Sequence, residues 1–275
     1  DKSNPDVLIH MAAQPLVRLS YEQPIQTYNT NVMGTVNILE ATRNNKSIKT
    51  ILIVTSDKCY SNIETERPYD ERNPLGGDDP YSSSKACVEH ISLAYYKSYF
   101  RSSNVGLATA RAGNVIGGGD WSNDRLIPDI IKAWTKDEPV IIRSPNAIRP
   151  WQHVLEPICG YLKLVEFLSE DSFNFSGGWN FGPDLDNTKS VLDTVKLSQK
   201  LWKGESKIKI EEDNSVYEAK ILKLDNTKMK KQLQIDQKMN FKEALKSTIE
   251  WYENYYNKKN VSSFTSQQTN DYLYS

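Results

Sequence analysis

The chain has 275 residues and a formal net charge of −1, with 34 basic side chains against 35 acidic ones. That balance argues against nucleic acid or an anionic membrane surface as the main partner, and no apolar stretch approaches the roughly 20 residues of a membrane-spanning helix. The length suffices to bury a sizeable core in one large domain or two small ones.

The chain opens on Asp1 without a secretory signal and at once reaches "DVLIH", residues 6–10, which reads as a buried strand. A start missing from the sequence is therefore expected. The turn "MAAQP" follows, and residues 24–44 read as a helix with Val32, Val36 and Leu39 on one face. The run "TILIVT", residues 50–55, is short, β-branched and apolar, as a buried strand should be. It is closed by Ser56, Asp57 and Lys58, where a plain turn would carry Gly, Asn or Pro.

The loop "NPLGGDDP" leads to a helix over residues 80–100, with Asp79 as N-cap and Pro80 at the first helical position. A strand over 105–111, the Gly-rich loop "AGNVIGGGD", a helix over 124–136 and a strand over 139–143 come next. This alternation predicts an α/β fold with a doubly wound parallel sheet. Past residue 145 the pattern loosens into helices around 156–169, 189–203 and 241–256 with short strands between them. Residues 1–145 are thus expected to form the sheet domain. Residues 146–257 mainly form a smaller mixed α/β domain, with the chain interleaving between the two, and the polar, aperiodic stretch 258–275 is expected to be a mobile tail.

Three cysteines, Cys59, Cys87 and Cys159, are odd in number and far apart, and only His10, His90 and His153 accompany them. No metal-ligand spacing emerges, so no metal is expected, and a reduced, cytoplasmic protein is. Cys59 lies beside the Ser-Asp-Lys turn, but no His is placed near it in sequence to activate a thiol nucleophile.

Ligands of open α/β sheets bind outside the carboxyl ends of the strands, which is where Ser56, Asp57 and Lys58 stand. In "DDPYSSSKA", Tyr81 and Lys85 are four apart and share a helix face. A tyrosine hydroxyl beside an ammonium titrates lower than a free one, because the cation favours the phenolate, and can act as a base near neutral pH. The bland alternative for such a pair is a surface helix contact.

A Ser at a strand end with Tyr and Lys on the next helix resembles the catalytic set of the short-chain dehydrogenase/reductase superfamily. "HMAAQP", "NTNVMGT", "AGNVIGGGD", "DRLIPDII", "NAIRPWQHV" and "WNFGP", in this order, sharpen the resemblance to its extended, nucleotide-sugar branch. The resemblance implies that Tyr81 takes a proton from a sugar hydroxyl while NAD takes the hydride. It implies that Lys85 holds the nicotinamide ribose and that Ser56 bonds the reacting oxygen. Met11, Ala12, Ala13, Gln14, Thr30 and Val115 are the further residues it places against the cofactor, and Asn114, Arg125, Leu126, Arg149 and Asn180 those it places on the nucleotide sugar. A guanidinium fork such as that of Arg149 suits diphosphate oxygens, although an ordinary surface ion pair would also explain it. Trp121 and Trp151 read equally as pocket walls or as base-stacking platforms.

Asp57 directly after the Ser resembles the 4,6-dehydratases of this branch. These must also remove the C5 proton and expel the C6 hydroxyl. The form "TSDKCY", with "GNVIGGGDW" and "IRPWQHVLEP", resembles those acting on CDP-linked glucose. Asp57 would then be the general acid at C6, which requires it to carry a proton. Lys58 would be either the C5 base, for which it must be neutral, or a cation that stabilises the C4 enolate. A 4-epimerase running on Ser56, Tyr81 and Lys85 alone, and a binding protein without turnover, are the competing readings. The family's Gly-rich dinucleotide turn is missing, since Gly117–Gly119 lack the surrounding strand-turn-helix unit. The resemblance thus implies that the first strands of the sheet are absent, that the strand over 6–10 forms an exposed edge, and that residues 1–275 alone bind NAD poorly and are inactive. It also implies a homodimer through the helices over 24–44 and 80–100.

Overall fold

The computed structural model describes residues 3–213, 215, 217 and 219–275. Its first half runs β1 (Val7–His10), α1 (Val17–Glu22), α2 (Pro24–Tyr28), α3 (Gly34–Arg43), β2 (Thr50–Val54), α4 (Pro80–Tyr95), β3 (Gly106–Ala112), β4 (Asn114–Ile116), α5 (Leu126–Trp134) and β5 (Pro139–Ile142). Its second half runs β6 (Ile148–His153), α6 (Leu155–Glu170), β7 (Gly177–Phe181), β8 (Thr188–Ser190), α7 (Val191–Leu201), β9 (Lys207–Ile210), α8 (Thr227–Leu233), α9 (Phe241–Tyr256) and α10 (Val261–Tyr274). The chain divides into two compact units that interleave in sequence.

The first unit comprises Asp1–Gly113, Cys159–Gly182 and Leu224–Ile235. Its sheet has the order β1-β2-β3-β7, and every pairing is parallel. Ile51, Leu52 and Ile53 of β2 are fully buried because strands covered on both faces need apolar side chains on both. Leu39, Ile51, Ile53, Val88, Phe100 and Leu107 form one core cluster, and truncating any of these to Ala is worth about 2–5 kcal/mol. β1 and β7 are the two edge strands of this sheet among the described residues, and Ile9 of β1 is 37% exposed. The helix expected over 24–44 exists as α2 and α3 joined by a π-helical turn over Asn29–Met33.

The second unit comprises Asn114–Ile158, Pro183–Lys223 and Asp236–Ser275. It holds a β4-β6-β8 sheet and a parallel β5-β9 pair, around a core of Ile127, Ile130, Ile131, Trp134, Trp151, Leu245 and Tyr252 among others. Three expectations are corrected here. The boundary falls at residue 113 rather than 145, because β4 leaves the main sheet to pair with β6. The strand expected over 139–143 likewise pairs with β9, not with the main sheet. Its alternation, Val140 and Ile142 inside and Pro139 and Ile141 outside, is that of a strand with one solvated face. Residues 258–275 are not a tail but carry α10, whose N-cap Asn260 accepts from the Ser263 amide at 3.1 Å and whose Tyr272 is buried.

Candidate active site

The carboxyl end of β2 turns directly into a 3-10 turn over Asp57–Cys59, with Ser56 as its N-cap. The Ser56 Oγ accepts from the Lys58 amide at 3.2 Å and donates to Asp57 Oδ1 at 2.9 Å. The residues that looked out of place in sequence therefore have a structural reason as well. A Ser cap satisfies the turn's first amides and fixes its own hydroxyl at the sheet edge. Ser56 and Asp57 are buried and Lys58 is half-buried.

α4 packs against this turn. Asp79 caps it, Oδ1 accepting from the Ser82 amide at 2.9 Å, and Pro80 opens it. Tyr81 and Lys85 are both buried, one turn apart. The Tyr81 amide donates to Ser20 Oγ at 3.1 Å, and Lys85 Nζ donates to the carbonyl of Val54 at 3.3 Å. Lys85 is thereby tied to the strand end that precedes Ser56. The side chain of Tyr161, on α6, is also buried, and burial together with the nearby Asp57 and Tyr81 pushes its hydroxyl pKa up.

Burial pulls the Lys85 ammonium down from 10.5 to about 8, against an opposite pull from Cys59 and Glu89. A base whose folded pKa lies below its unfolded one destabilises the fold wherever it is protonated, here fully below pH 8, and the effect fades as pH rises toward 10.5. Lys85→Met is therefore expected to be more stable at pH 7, by up to about 3 kcal/mol, and equal to the parent near pH 10.5. Urea unfolding at the two pH values checks this; equal or lower stability at pH 7 contradicts it.

Two buried networks that sequence reasoning missed hold these elements. In one, Asn31, presented by the π-helical turn, donates from Nδ2 to Ser84 Oγ at 2.9 Å and to the Gln14 carbonyl at 3.1 Å, and accepts from the Gln14 amide at 2.8 Å. The turn after β1 is thus tied through Asn31 to α4 between Tyr81 and Lys85. In the other, Glu89 accepts from Arg111 at Nε and Nη2 (2.9 and 2.7 Å) and from the hydroxyls of Thr55 and Thr109 (2.5 and 2.7 Å). Arg111 Nη1 donates to the Tyr60 hydroxyl at 2.9 Å, and that hydroxyl donates to Asn180 Oδ1 at 2.6 Å.

Asn180 belongs to this network. Expected on the nucleotide sugar, it is fully buried, and its Nδ2 donates to the carbonyls of Tyr69 and Asp225 at 2.9 and 3.1 Å. It is a strut between β7 and the loop after β2. Of the residues expected at the cofactor, Met11, Ala12 and Thr30 are exposed and Ala13 is half-buried. The Gln14 side chain bonds inward to Leu16 and Thr27, so it shapes the turn. Cys59 is fully buried, and burial raises its thiol pKa well above the ordinary value, which leaves it inert.

In the second unit, Asn114 and Val115 lie half-buried on β4. Arg125 is the N-cap of α5 and pairs with Asp120 at 3.0 Å, and Leu126 packs on the core. Arg149 is 6% exposed and so is not a surface residue, and its Nη1 donates to the carbonyls of Ile148 and Lys220. Trp151 is core, with Nε1 donating to the Lys189 carbonyl, whereas Trp121 is 39% exposed.

A family model described as GDP-mannose 4,6 dehydratase matches residues 1–248. The chain is 45% identical over 274 residues to CDP-glucose 4,6-dehydratase of Salmonella typhimurium, covering 98% of this chain and 76% of that protein. UDP-glucuronic acid 4-epimerase from Bacillus cereus, solved with UDP-glucuronic acid and NAD, shares its fold with a TM-score of 0.80 at 22% identity, over 92% of this chain and 77% of that one. So does dTDP-glucose 4,6-dehydratase from Bacillus anthracis, solved with NAD, with a TM-score of 0.75 at 24% identity, over 92% and 74%. With its buried Ser-Tyr-Lys set at the carboxyl edge of a parallel sheet, the chain belongs to the GDP-mannose 4,6-dehydratase family, on the extended short-chain dehydrogenase/reductase fold.

Proposed function

We propose that the protein converts CDP-glucose to CDP-4-keto-6-deoxyglucose with loss of water, using NAD. The observation that carries the reading is the Ser56–Asp57 pair, hydrogen-bonded and buried at the end of β2 with Lys58 directly after it. A 4-epimerase needs only Ser56, Tyr81 and Lys85. A dehydratase also needs a general acid for the departing C6 hydroxyl and a base for the C5 proton.

The residues present fit NAD. The Lys85 ammonium is a buried triple donor with one donor on Val54 O, and ribose hydroxyls suit it as acceptors. In the turn after β1, Met11 and Ala12 are exposed and Ala13 is half-buried. NAD, which Lys85 would hold at its ribose, would supply a reversible hydride acceptor for the sugar. Tyr81 removes the C4 hydroxyl proton while Ser56 bonds that oxygen. Asp57, protonated, gives its proton to the C6 hydroxyl, which leaves as water. Lys58 takes the C5 proton and gives it back to C5 once C6 has received the hydride. Asn114, Arg125, Leu126 and Arg149 hold the sugar nucleotide.

Exposed Ile25, Met33, Leu93 and Tyr99 on the α2–α3 and α4 segments support a homodimer through those helices. The free cysteines support a cytoplasmic setting, and no helix among the described residues is long and apolar enough to cross a membrane. The test is to incubate the protein, expressed from its complete gene, with CDP-glucose and NAD⁺ and to weigh the product, with TDP-, UDP- and GDP-sugars as controls. Loss of one water from CDP-glucose alone is expected. An unchanged mass, or dehydration only of another nucleotide sugar, overturns the reading.

A further inference from the structure

Residues 117–125 connect β4 to α5 and end on Arg125. Three successive glycines open the segment, so by itself the backbone has wide freedom. In the folded unit it is gripped from one side by α9. Gly118 lies so close to Trp251 that a Cβ there would overlap the indole ring, and Gly119 takes a positive φ of 83°. The Tyr252 hydroxyl donates to the Asp120 carbonyl at 2.6 Å. Trp121 sits among Tyr252, Tyr255 and Tyr256, with ring centroids 5.3, 4.9 and 6.2 Å away.

The grip is itself braced. Trp251 stacks on Tyr255 at 5.8 Å, and its Nε1 donates to Thr265 Oγ1 of α10 at 2.7 Å. α10 is fastened separately, by Gln268 Nε2 on Ser247 and by Lys238 Nζ on the carbonyls of Tyr272 and Leu273. On the far side of the segment, Asp120 passes the constraint on. Its Oδ1 accepts from the Ser122 amide and its Oδ2 from Arg125 Nη1, both at 3.0 Å. Trp251 and α10 both lie beyond the residues matched by the family model.

We propose that the aromatic face of α9, braced by α10, is a clamp that fixes the 117–125 segment so that Arg125 is already placed for the sugar nucleotide, with Gly118, Trp251 and Tyr252 as positioning residues. The proposal rests on the reading of Arg125 given above. Ordering a glycine-rich segment before binding removes that entropy loss from the binding step. The clamp should therefore act on affinity and KM and leave kcat alone.

The test is calorimetric titration of the full-length protein with CDP-glucose, together with KM and kcat. Arg125→Ala and Gly118→Ala are each expected to weaken binding tenfold or more, and Gly118→Ala to raise KM with kcat within twofold. Trp251→Leu should weaken it less. The double variant Gly118→Ala/Trp251→Leu should bind better than Gly118→Ala alone, because the overlap is gone. If Arg125→Ala weakens binding but Gly118→Ala does not, the clamp is overturned and the site reading stands. If Arg125→Ala binds like the parent, or the parent does not bind CDP-glucose, the site reading fails and takes the clamp with it. A double variant no better than Gly118→Ala also overturns the clamp. Should Gly118→Ala not fold, Thr265→Val, which removes only the hydroxyl that holds Trp251, is expected to weaken binding about threefold, and unchanged binding overturns the proposal.

Discussion

Tyr81→Phe is expected to lower kcat about 10³-fold while KM stays within a few-fold and the melting temperature hardly moves. The substitution removes one oxygen and leaves the ring. What holds Tyr81 in place is backbone and helix cap: its amide on Ser20 Oγ, the Asp79 cap with Ser82, and the Ser84 hydroxyl donating to its carbonyl at 2.7 Å. These bonds do not involve the phenol and survive the substitution; the chemistry does not. A hydride leaves C4 only as the hydroxyl proton leaves, and a positioned general base contributes about 10²–10⁴ in rate. Asp57→Asn should behave differently, since it keeps the acceptor for Ser56 but cannot deliver a proton. It is expected to block water loss while the C5 proton still exchanges with solvent. Steady-state rates with thermal unfolding decide the first point. A loss below tenfold for Tyr81→Phe would remove Tyr81 from the base role.

Much of this site was legible in the sequence because each signal was local. The β-branched run of β2, the Asp-Pro cap of α4 and the four-residue spacing of Tyr81 and Lys85 are short-range patterns with direct physical causes, and they landed within a few residues. The parts that were not legible depend on partners far away in sequence. Asn31 reads as one polar residue in a helix; its role comes from Ser84, 53 positions on. Glu89 and Arg111 read as an unremarkable helix acid and a strand cation, and only the packing of α4 against β3 brings them together. Charges inside a buried strand and on a buried helix face were the available clue, since unpaired charges there are disfavoured. Asn180 was legible only as a motif position; its bonds to Tyr60, Tyr69 and Asp225 reach segments far from it in sequence. The C-terminal helix was hidden by its polar composition, with one buried residue, Tyr272, to mark its inner face.

Glu89→Ala is expected to be the most destabilising single change near the site, by about 3–5 kcal/mol. The Glu89 and Arg111 side chains are 3% and 6% exposed, so the guanidinium left behind has little water to turn to. The carboxylate also receives the Thr55 and Thr109 hydroxyls, and orphaned buried donors add to the loss. Removing both charges should cost less than removing one, because a buried pair recovers little of its own desolvation. Glu89→Met/Arg111→Met is therefore expected to unfold at a higher urea concentration than Glu89→Ala, even though it deletes more hydrogen bonds. A double variant as unstable as the sum of the singles would show that packing and not charge compensation holds the pair. Activity should not return with stability. Glu89 joins α4, one turn beyond Lys85, to the last residues of β2 and β3, and through Arg111 and Tyr60 to the turn that carries Asp57. A methionine pair can fill that space, but it cannot hold α4 and the Ser56–Asp57 turn at a bonded distance, so kcat is expected to remain at least tenfold below the parent in the restabilised double variant.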